Sequence, residues 1–478
     1  MALMFINGES VPSKSGQTYA VKNPATGEGV DTVPQGTVED VQAAVAAAAA
    51  AFPAWRDTAP DARGRLLLKG AELVREEIDE LAVLETKEQG KPVGESKREI
   101  EHFLHGLEFY AGLASKIRGA YVPLPDQKMY GMVIKQHIGV CAGIVPWNFP
   151  ITLMGTKVGP ALAAGNTMIV KPASTTPLTA LRVVELLHQA GLPRGVLNIV
   201  TGPGGVVGEE LLRHPRVRRI AFTGETRTGK HVAECAGREM KRLTLELGGS
   251  DPMIVCDDAA LDAAVTGAAV GRFYNCGQAC LAIKRLYLFE SIYDQFVEKL
   301  IGKVQRLKVG NGLEKDARLG PLHTAAQRQE VEEQVADAVQ RGAQVLSGGQ
   351  RPAGADYEKG YFYLPTLLTE VPDQARIVQE ECFGPALPIF KVKDLDEAIA
   401  RANSSIFGLG SSIWTRDLSK ARTAAERLEA GNVWINSLHI GYDELPFGGV
   451  KYSGIGREHG PEALEYYLEP KGVVVATG

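Results

Sequence analysis

The chain has 478 residues, an apolar fraction of 45% and a charged fraction of 23%, which exclude a disordered chain, a collagen-like chain and a small disulfide-held scaffold. Its 52 basic and 57 acidic residues leave a net charge of −5, so no basic excess is present to neutralise a nucleic-acid backbone. No apolar run approaches the ~18 residues of a membrane span, and the opening MALMFINGES lacks the basic-then-apolar pattern of a secretory leader. The six cysteines are scattered and form neither a disulfide framework nor a zinc motif. These features predict a cytoplasmic protein of about three folding units, with free thiols, no metal, and no nucleic-acid or membrane partner.

The first fifty residues mix short strand-like pieces with turn signals such as Asn7-Gly8 and Asn23-Pro24-Ala25-Thr26-Gly27. Helical patterns follow from about 38 to 117, with breaks predicted at Pro53, Pro60 and Pro92. Apolar runs at 139–146, 167–170, 195–200 and 219–222 then read as buried strands. Helical stretches at 178–190 and 205–213 lie between them. Such alternation predicts a parallel sheet covered on both faces, with a nucleotide cofactor at the carboxyl ends of its strands. After Glu246 a second α/β unit begins. Its predicted strands are 252–255, 285–289, 343–346, 387–390 and 411–414, and its predicted helices 293–308, 324–341 and 395–403. The last run, Gly472 to Ala476, is a β-branched strand in need of a sheet, which it is expected to complete in a partner subunit.

Several residues could carry chemistry. Cys280 lies in Gly277-Gln278-Ala279-Cys280, a turn with room for a substrate beside the sulfur. A buried structural cysteine is the alternative. Glu246 lies between apolar neighbours and ahead of Gly248-Gly249; a carboxylate there is either used or salt-bridged in the core. Asn148, in Pro146-Trp147-Asn148-Phe149-Pro150, can aim an amide at a developing oxyanion or cap a helix. The glycine-rich turns at 202–208 and 224–229 follow strands, but neither has the Gly-x-Gly-x-x-Gly spacing.

In combination these blocks resemble the aldehyde dehydrogenase superfamily. They occur in its order: Pro-Trp-Asn-Phe-Pro, Val-Lys-Pro-Ala, Phe-Thr-Gly, Glu-Leu-Gly-Gly, Gly-Gln-x-Cys, Glu-Glu-x-Phe-Gly-Pro and Pro-Phe-Gly-Gly. The likeness runs from Asn7 to Val475, and Glu246 and Cys280 stand 34 residues apart. The resemblance implies an α/β fold with a Rossmann-type cofactor domain (1–115 and 137–248), an α/β catalytic domain (249–448) and a small β oligomerisation arm (116–136 and 466–478). It implies a homodimer or homotetramer, and NADP or NAD as cofactor.

It further implies that Cys280 attacks the aldehyde, that the Asn148 amide and the Cys280 N–H hold the oxyanion, and that Glu246 activates water to release the acid. Lys171 would bind the adenosine ribose and Glu381 the nicotinamide ribose. Phe383 would pack near the ring, Trp147 would line the cleft, and Thr223 and Gly224 would lie near the phosphates. Glu225 stands where the family often has serine, so it is expected to turn outward. Ser174 stands where NAD-preferring members commonly carry glutamate, which predicts that NADP is accepted and even preferred. Thr156 and Tyr274 occupy the two positions where succinate-semialdehyde enzymes place arginines. Losing both forks removes the bidentate partner of a distal carboxylate. With Phe149, His439 and Tyr442 they predict a pocket for an apolar, aromatic or hydroxylated aldehyde. The alternatives are a succinate-semialdehyde-type enzyme, a CoA-acylating enzyme, which Glu246 argues against, and a non-catalytic member of the fold.

Overall fold

A computed structural model describes residues 1–477. Its first large sheet has eight strands in the order Glu9–Val11, Met4–Ile6, Leu197–Ile199, Thr167–Lys171, Val140–Ile144, Val217–Thr223, Arg242–Glu246, Gly454–Ile455. The central five are parallel, and the strands Met4–Ile6 and Gly454–Ile455 pair antiparallel at the two margins. Apolar layers cover both faces, which is why these strands read as unbroken apolar runs. The strand order reverses between Val140–Ile144 and Val217–Thr223, and that crevice is where such sheets bind ligands.

The second sheet has seven strands in the order Gln344–Ser347, Thr366–Thr369, Ala386–Val392, Ile283–Phe289, Asp251–Val255, Gly410–Trp414, Asn432–Ile435. Gln344–Ser347 pairs antiparallel and the others parallel. It surrounds its own core.

Two expectations are corrected. Pro53 does not break a helix, since one helix runs through it, Val38–Asp57. Pro53 sits on the exposed face, where the carbonyl it leaves unpaired meets water. The helix starts on a capping box between Thr37 and Asp40. The strands of the arm are also better satisfied than expected. Leu468–Ala476 pairs along its whole length with Met129–His137 of the same chain, and Ala120–Pro123 completes a three-stranded sheet. The C-terminal strand therefore finds its sheet within its own subunit. Among the described residues no helix is long and apolar enough to cross a membrane.

Candidate active site

Strand geometry gathers the expected residues. Lys171, Thr223 and Glu246 are the final residues of their parallel strands, and Trp147 and Asn148 follow the end of Val140–Ile144. All of these ends meet one crevice. Cys280 arrives from the second unit on the loop before Ile283–Phe289, packed with Leu281 against buried Leu409, Trp434 and Phe447.

The loop that presents Cys280 is strained. Asn275 (φ 49°) and Cys276 (φ 56°) both adopt left-handed backbone, and Gly277 (φ 72°) follows. Side chains rarely tolerate this, so surrounding contacts must enforce it. They are visible. The Asn275 amide donates to the carbonyl of Asn148 (2.9 Å) and accepts from Gln89 Nε2 (3.1 Å), and its N–H donates to Glu95 (2.9 Å). At Gly277 a Cβ would lie 2.4 Å from the carbonyl oxygen of Gly384, so only glycine fits. Gln278 clamps the turn further, its Nε2 donating to Asn275 O (3.0 Å) and its Oε1 accepting from His323 N–H (2.8 Å).

Asn148 is buried, and its amide donates one N–H to the carbonyl of Gln278 (3.1 Å). A primary amide has a second N–H, which is left for a ligand. The Asn148 carbonyl is held by the buried ammonium of Lys91 (2.7 Å), which also pairs with Glu85 (3.0 Å) and Glu99. Glu99 in turn caps the helix Pro150–Ala163 by accepting from Ile151 N–H (2.8 Å). Burial and the neighbouring Glu99 push the Glu85 carboxyl well above the ordinary range, opposed by Lys91.

Glu246 is 2% exposed, and neither of its oxygens has a well-formed protein hydrogen bond. Burial pushes its carboxyl up to about 8, opposed by the adjacent Cys280 thiol. The thiol is raised in turn, by burial first and then by Glu246. A carboxylate of raised basicity beside a thiol is an arrangement suited to proton transfer.

The cofactor side can be tested against the group it would hold. Lys171 is buried, its ammonium has one protein acceptor, the Pro172 carbonyl (2.9 Å), and burial lowers it to about 8. An anionic or hydroxylated ligand would complete it. Gly204 and Gly205 open onto free space, and a Cβ on Gly208 would reach the Lys171 stem. The helix Thr226–Arg238 begins without a side-chain cap, leaving donors for a phosphate. Glu225 faces outward, 62% exposed and 3.4 Å from Arg227. These residues fit a dinucleotide. Trp147 stacks on His323 (4.5 Å between centroids, 5°) and meets the edge of Phe383 (5.6 Å). Glu381 accepts from Gly249 N–H (3.0 Å).

Other expected residues are less available. The Thr223 hydroxyl is buried and accepts from Lys157 (2.8 Å), and the Gly224 N–H donates to the Glu246 carbonyl (3.1 Å). The Ser174 hydroxyl donates to the Gly202 carbonyl (2.9 Å). Thr156 is buried and donates to Glu458 (2.7 Å), which also pairs with Lys157 (2.8 Å). His439 is buried, stacked on Trp434 and 3.0 Å from the Leu281 carbonyl, whereas Tyr442 is half exposed. Phe149 and Tyr274 stand parallel, 6.0 Å apart.

Lys91, Asn275, Gln278, His323 and Lys284 were not anticipated. The signals in sequence were Gln278, as part of the Gly-Gln-x-Cys block, and Asn275, since asparagine tolerates left-handed backbone. All six cysteines are free. Glu209, His231 and Cys235 also lie together on the surface, linked by hydrogen bonds to one another, a grouping that no sequence motif announced.

The aldehyde dehydrogenase family profile matches residues 11–473. The chain is 46% identical over 469 residues to glutarate-semialdehyde dehydrogenase of Pseudomonas putida, covering 98% of this chain and 96% of that one. It is 44% identical to the NADP-dependent succinate-semialdehyde dehydrogenase GabD of Escherichia coli, with the same coverage. Among solved structures, an E. coli NADP-dependent enzyme superposes with a TM-score of 0.97 at 43% identity, covering 99% of this chain and 98% of its own. Betaine aldehyde dehydrogenase of Staphylococcus aureus bound to NAD+ does so with a TM-score of 0.97 at 37% identity, covering 100% and 95%. This chain belongs to the aldehyde dehydrogenase family, enzymes that oxidise aldehydes with NAD or NADP.

Proposed function

We propose that Cys280 is the nucleophile, Glu246 the general base and Asn148 an oxyanion donor in a hydrolytic oxidation. The observation that carries this is the buried Glu246 carboxyl, raised to about 8 beside the Cys280 thiol. The Glu246 carboxylate takes the thiol proton, and sulfur adds to the aldehyde carbon to give a thiohemiacetal. The free Asn148 N–H and the Cys280 backbone N–H stabilise its oxygen. A nicotinamide held there would supply the hydride acceptor, and loss of hydride from the thiohemiacetal would leave a thioester on Cys280. Once Glu246 has passed the thiol proton to solvent, it deprotonates water, which attacks the thioester carbonyl; the acid is released, and the proton taken from water returns to the departing sulfur. Lys171 and the glycine turn at 204–208 hold the adenosine end, and Glu381, Trp147 and Phe383 the nicotinamide end. Residues 1–115 and 137–248 form the cofactor domain, 249–448 the catalytic domain, and 116–136 with 466–478 the oligomerisation arm. The strand Gly454–Ile455 returns to the cofactor sheet.

For the substrate, we read the pocket as one for an apolar or aromatic aldehyde. The parallel rings of Phe149 and Tyr274 support this, and so does the loss of Thr156 to Glu458. The charges that the 438–444 loop brings are acidic, with Asp443 paired to His105 and His459 (2.7 Å each). A second reading is an aldehyde with a distal carboxylate. It is favoured by the names of the two relatives above and by Arg98, an exposed cation close enough to act on the Tyr274 hydroxyl. One experiment separates these. NAD(P)H formation is followed with phenylacetaldehyde-type, aliphatic, hydroxylated and ω-carboxylated aldehydes, with and without CoA. A kcat/KM highest for the carboxylated set would replace the first reading with the second, and CoA-dependent turnover would refute hydrolysis.

A further inference from the structure

We propose that Lys284 is a positioning residue for the nucleophile, fastening the Cys280 peptide to the Glu381 carboxylate and setting positive charge beside the thiol. This rests on the reading of Cys280 as the nucleophile. Lys284 lies on the strand Ile283–Phe289, four residues beyond Cys280, with no exposed surface. Its ammonium donates to the carbonyls of Ala279 (2.9 Å) and Cys280 (2.5 Å) and stands 3.2 Å from Glu381 Oε1. Those three acceptors match the three N–H bonds of an ammonium. Burying a cation in an apolar strand is unfavourable unless it is fully partnered, so the position is built around the charge.

The electrostatic surroundings give that charge a purpose. Glu246 and Glu381 both face the thiol and both disfavour a thiolate, whereas Lys284 opposes them. The other nearby ammonium, Lys157, is taken up by Glu458 and Thr223. Lys284 thus offsets two carboxylates at the point where an anion must form. It does so through the peptide of the nucleophile, so movement of the sulfur and movement of the charge are tied together. It also serves Glu381, whose carboxyl is raised by burial and lowered by Lys284. Lys284 thus favours the ionised form of Glu381, which is the better acceptor for hydroxyl groups.

The test uses the full-length, cofactor-free protein. Second-order alkylation of Cys280 by iodoacetamide is measured from pH 5.5 to 10, with the modified peptide identified by mass spectrometry. Wild type is compared with Lys284→Gln, Lys284→Met, Lys284→Arg and Cys280→Ser. Glutamine keeps a donor for the carbonyls but removes the charge, so it separates charge from scaffolding. Lys284→Gln is expected to slow alkylation at pH 7.5 about ten-fold and to move the titration midpoint upward. Methionine should do the same or more, and arginine should restore part of the rate. Should the methionine variant not fold, the glutamine variant decides alone. An unchanged midpoint in Lys284→Gln, with Cys280→Ser inactive and unlabelled, overturns this inference by itself. Turnover by Cys280→Ser overturns the nucleophile assignment and this inference with it.

Discussion

Replacing Glu246 with glutamine should make the enzyme both slower and sturdier. Folding carries this carboxyl from an ordinary 4.5 to about 8, chiefly by burial. Between those values the folded chain holds a proton that the unfolded chain releases, so stability is greatest below pH 4.5 and is lost as pH rises toward 8. At about 1.4 kcal/mol per pH unit, the loss amounts to roughly 3 kcal/mol by pH 7 and about 5 kcal/mol above pH 8. Glutamine has nearly the same shape and no such penalty. The Glu246→Gln variant should therefore match wild type in thermal inactivation at pH 5 and outlast it at pH 8.5, by several degrees. Turnover should move the other way. Loss of a general base typically costs ~10²–10⁴-fold, and rapid mixing should show a burst of reduced cofactor before a slow steady state. In wild type the rate should fall with acidification through about 8 as Glu246 becomes protonated. Equal stability of the two proteins at pH 8.5, or an undiminished steady-state rate, would refute the reasoning.

Cys280→Ser should abolish aldehyde oxidation while leaving cofactor binding by fluorescence quenching unchanged, because a hydroxyl ionises too poorly to attack; wild-type-like turnover would remove Cys280 from the mechanism. Ser174→Glu should shift kcat/KM toward NAD by roughly ten-fold, since one charge-assisted hydrogen bond is worth about 1.5–3 kcal/mol, and an unchanged NADP/NAD ratio would clear Ser174 as discriminator. Arg182 is not expected to contribute there, because it is engaged by Glu77 and Glu185. Light scattering should show a dimer or a pair of dimers, because the three-stranded sheet has two open edges and exposes Tyr121 and Val474; a stable monomer at micromolar concentration would contradict this.

Much of the fold was legible because its signals are local. The strands Val140–Ile144, Thr167–Lys171 and Val217–Thr223 are apolar on both faces, and a run of that kind declares itself in sequence. Taken singly, Glu246 and Cys280 read equally well as core residues; only the order and spacing of the blocks around them, shared with the family, singled them out as candidates. Pro53 misled because the cost of a helical proline depends on exposure, which sequence does not display. The partner of Leu468–Ala476 lies more than three hundred residues upstream, and nothing local records that pairing. Lys91 and Lys284 were invisible for a related reason. A lysine reads as surface until the fold encloses it with carboxylates and carbonyls.

The left-handed run at Asn275, Cys276 and Gly277 bears on how this enzyme can be diversified. Three successive positions accept few residues because of backbone shape, whatever substrate is in the pocket. A combinatorial library that includes them would be dominated by misfolded clones, and its losses would be mistaken for lost catalysis. Phe149, Tyr274 and Tyr442 have ordinary backbone and reach accessible space. Randomising those three, which belong to the proposed pocket, with 275–277 held constant, leaves the presentation of the sulfur intact.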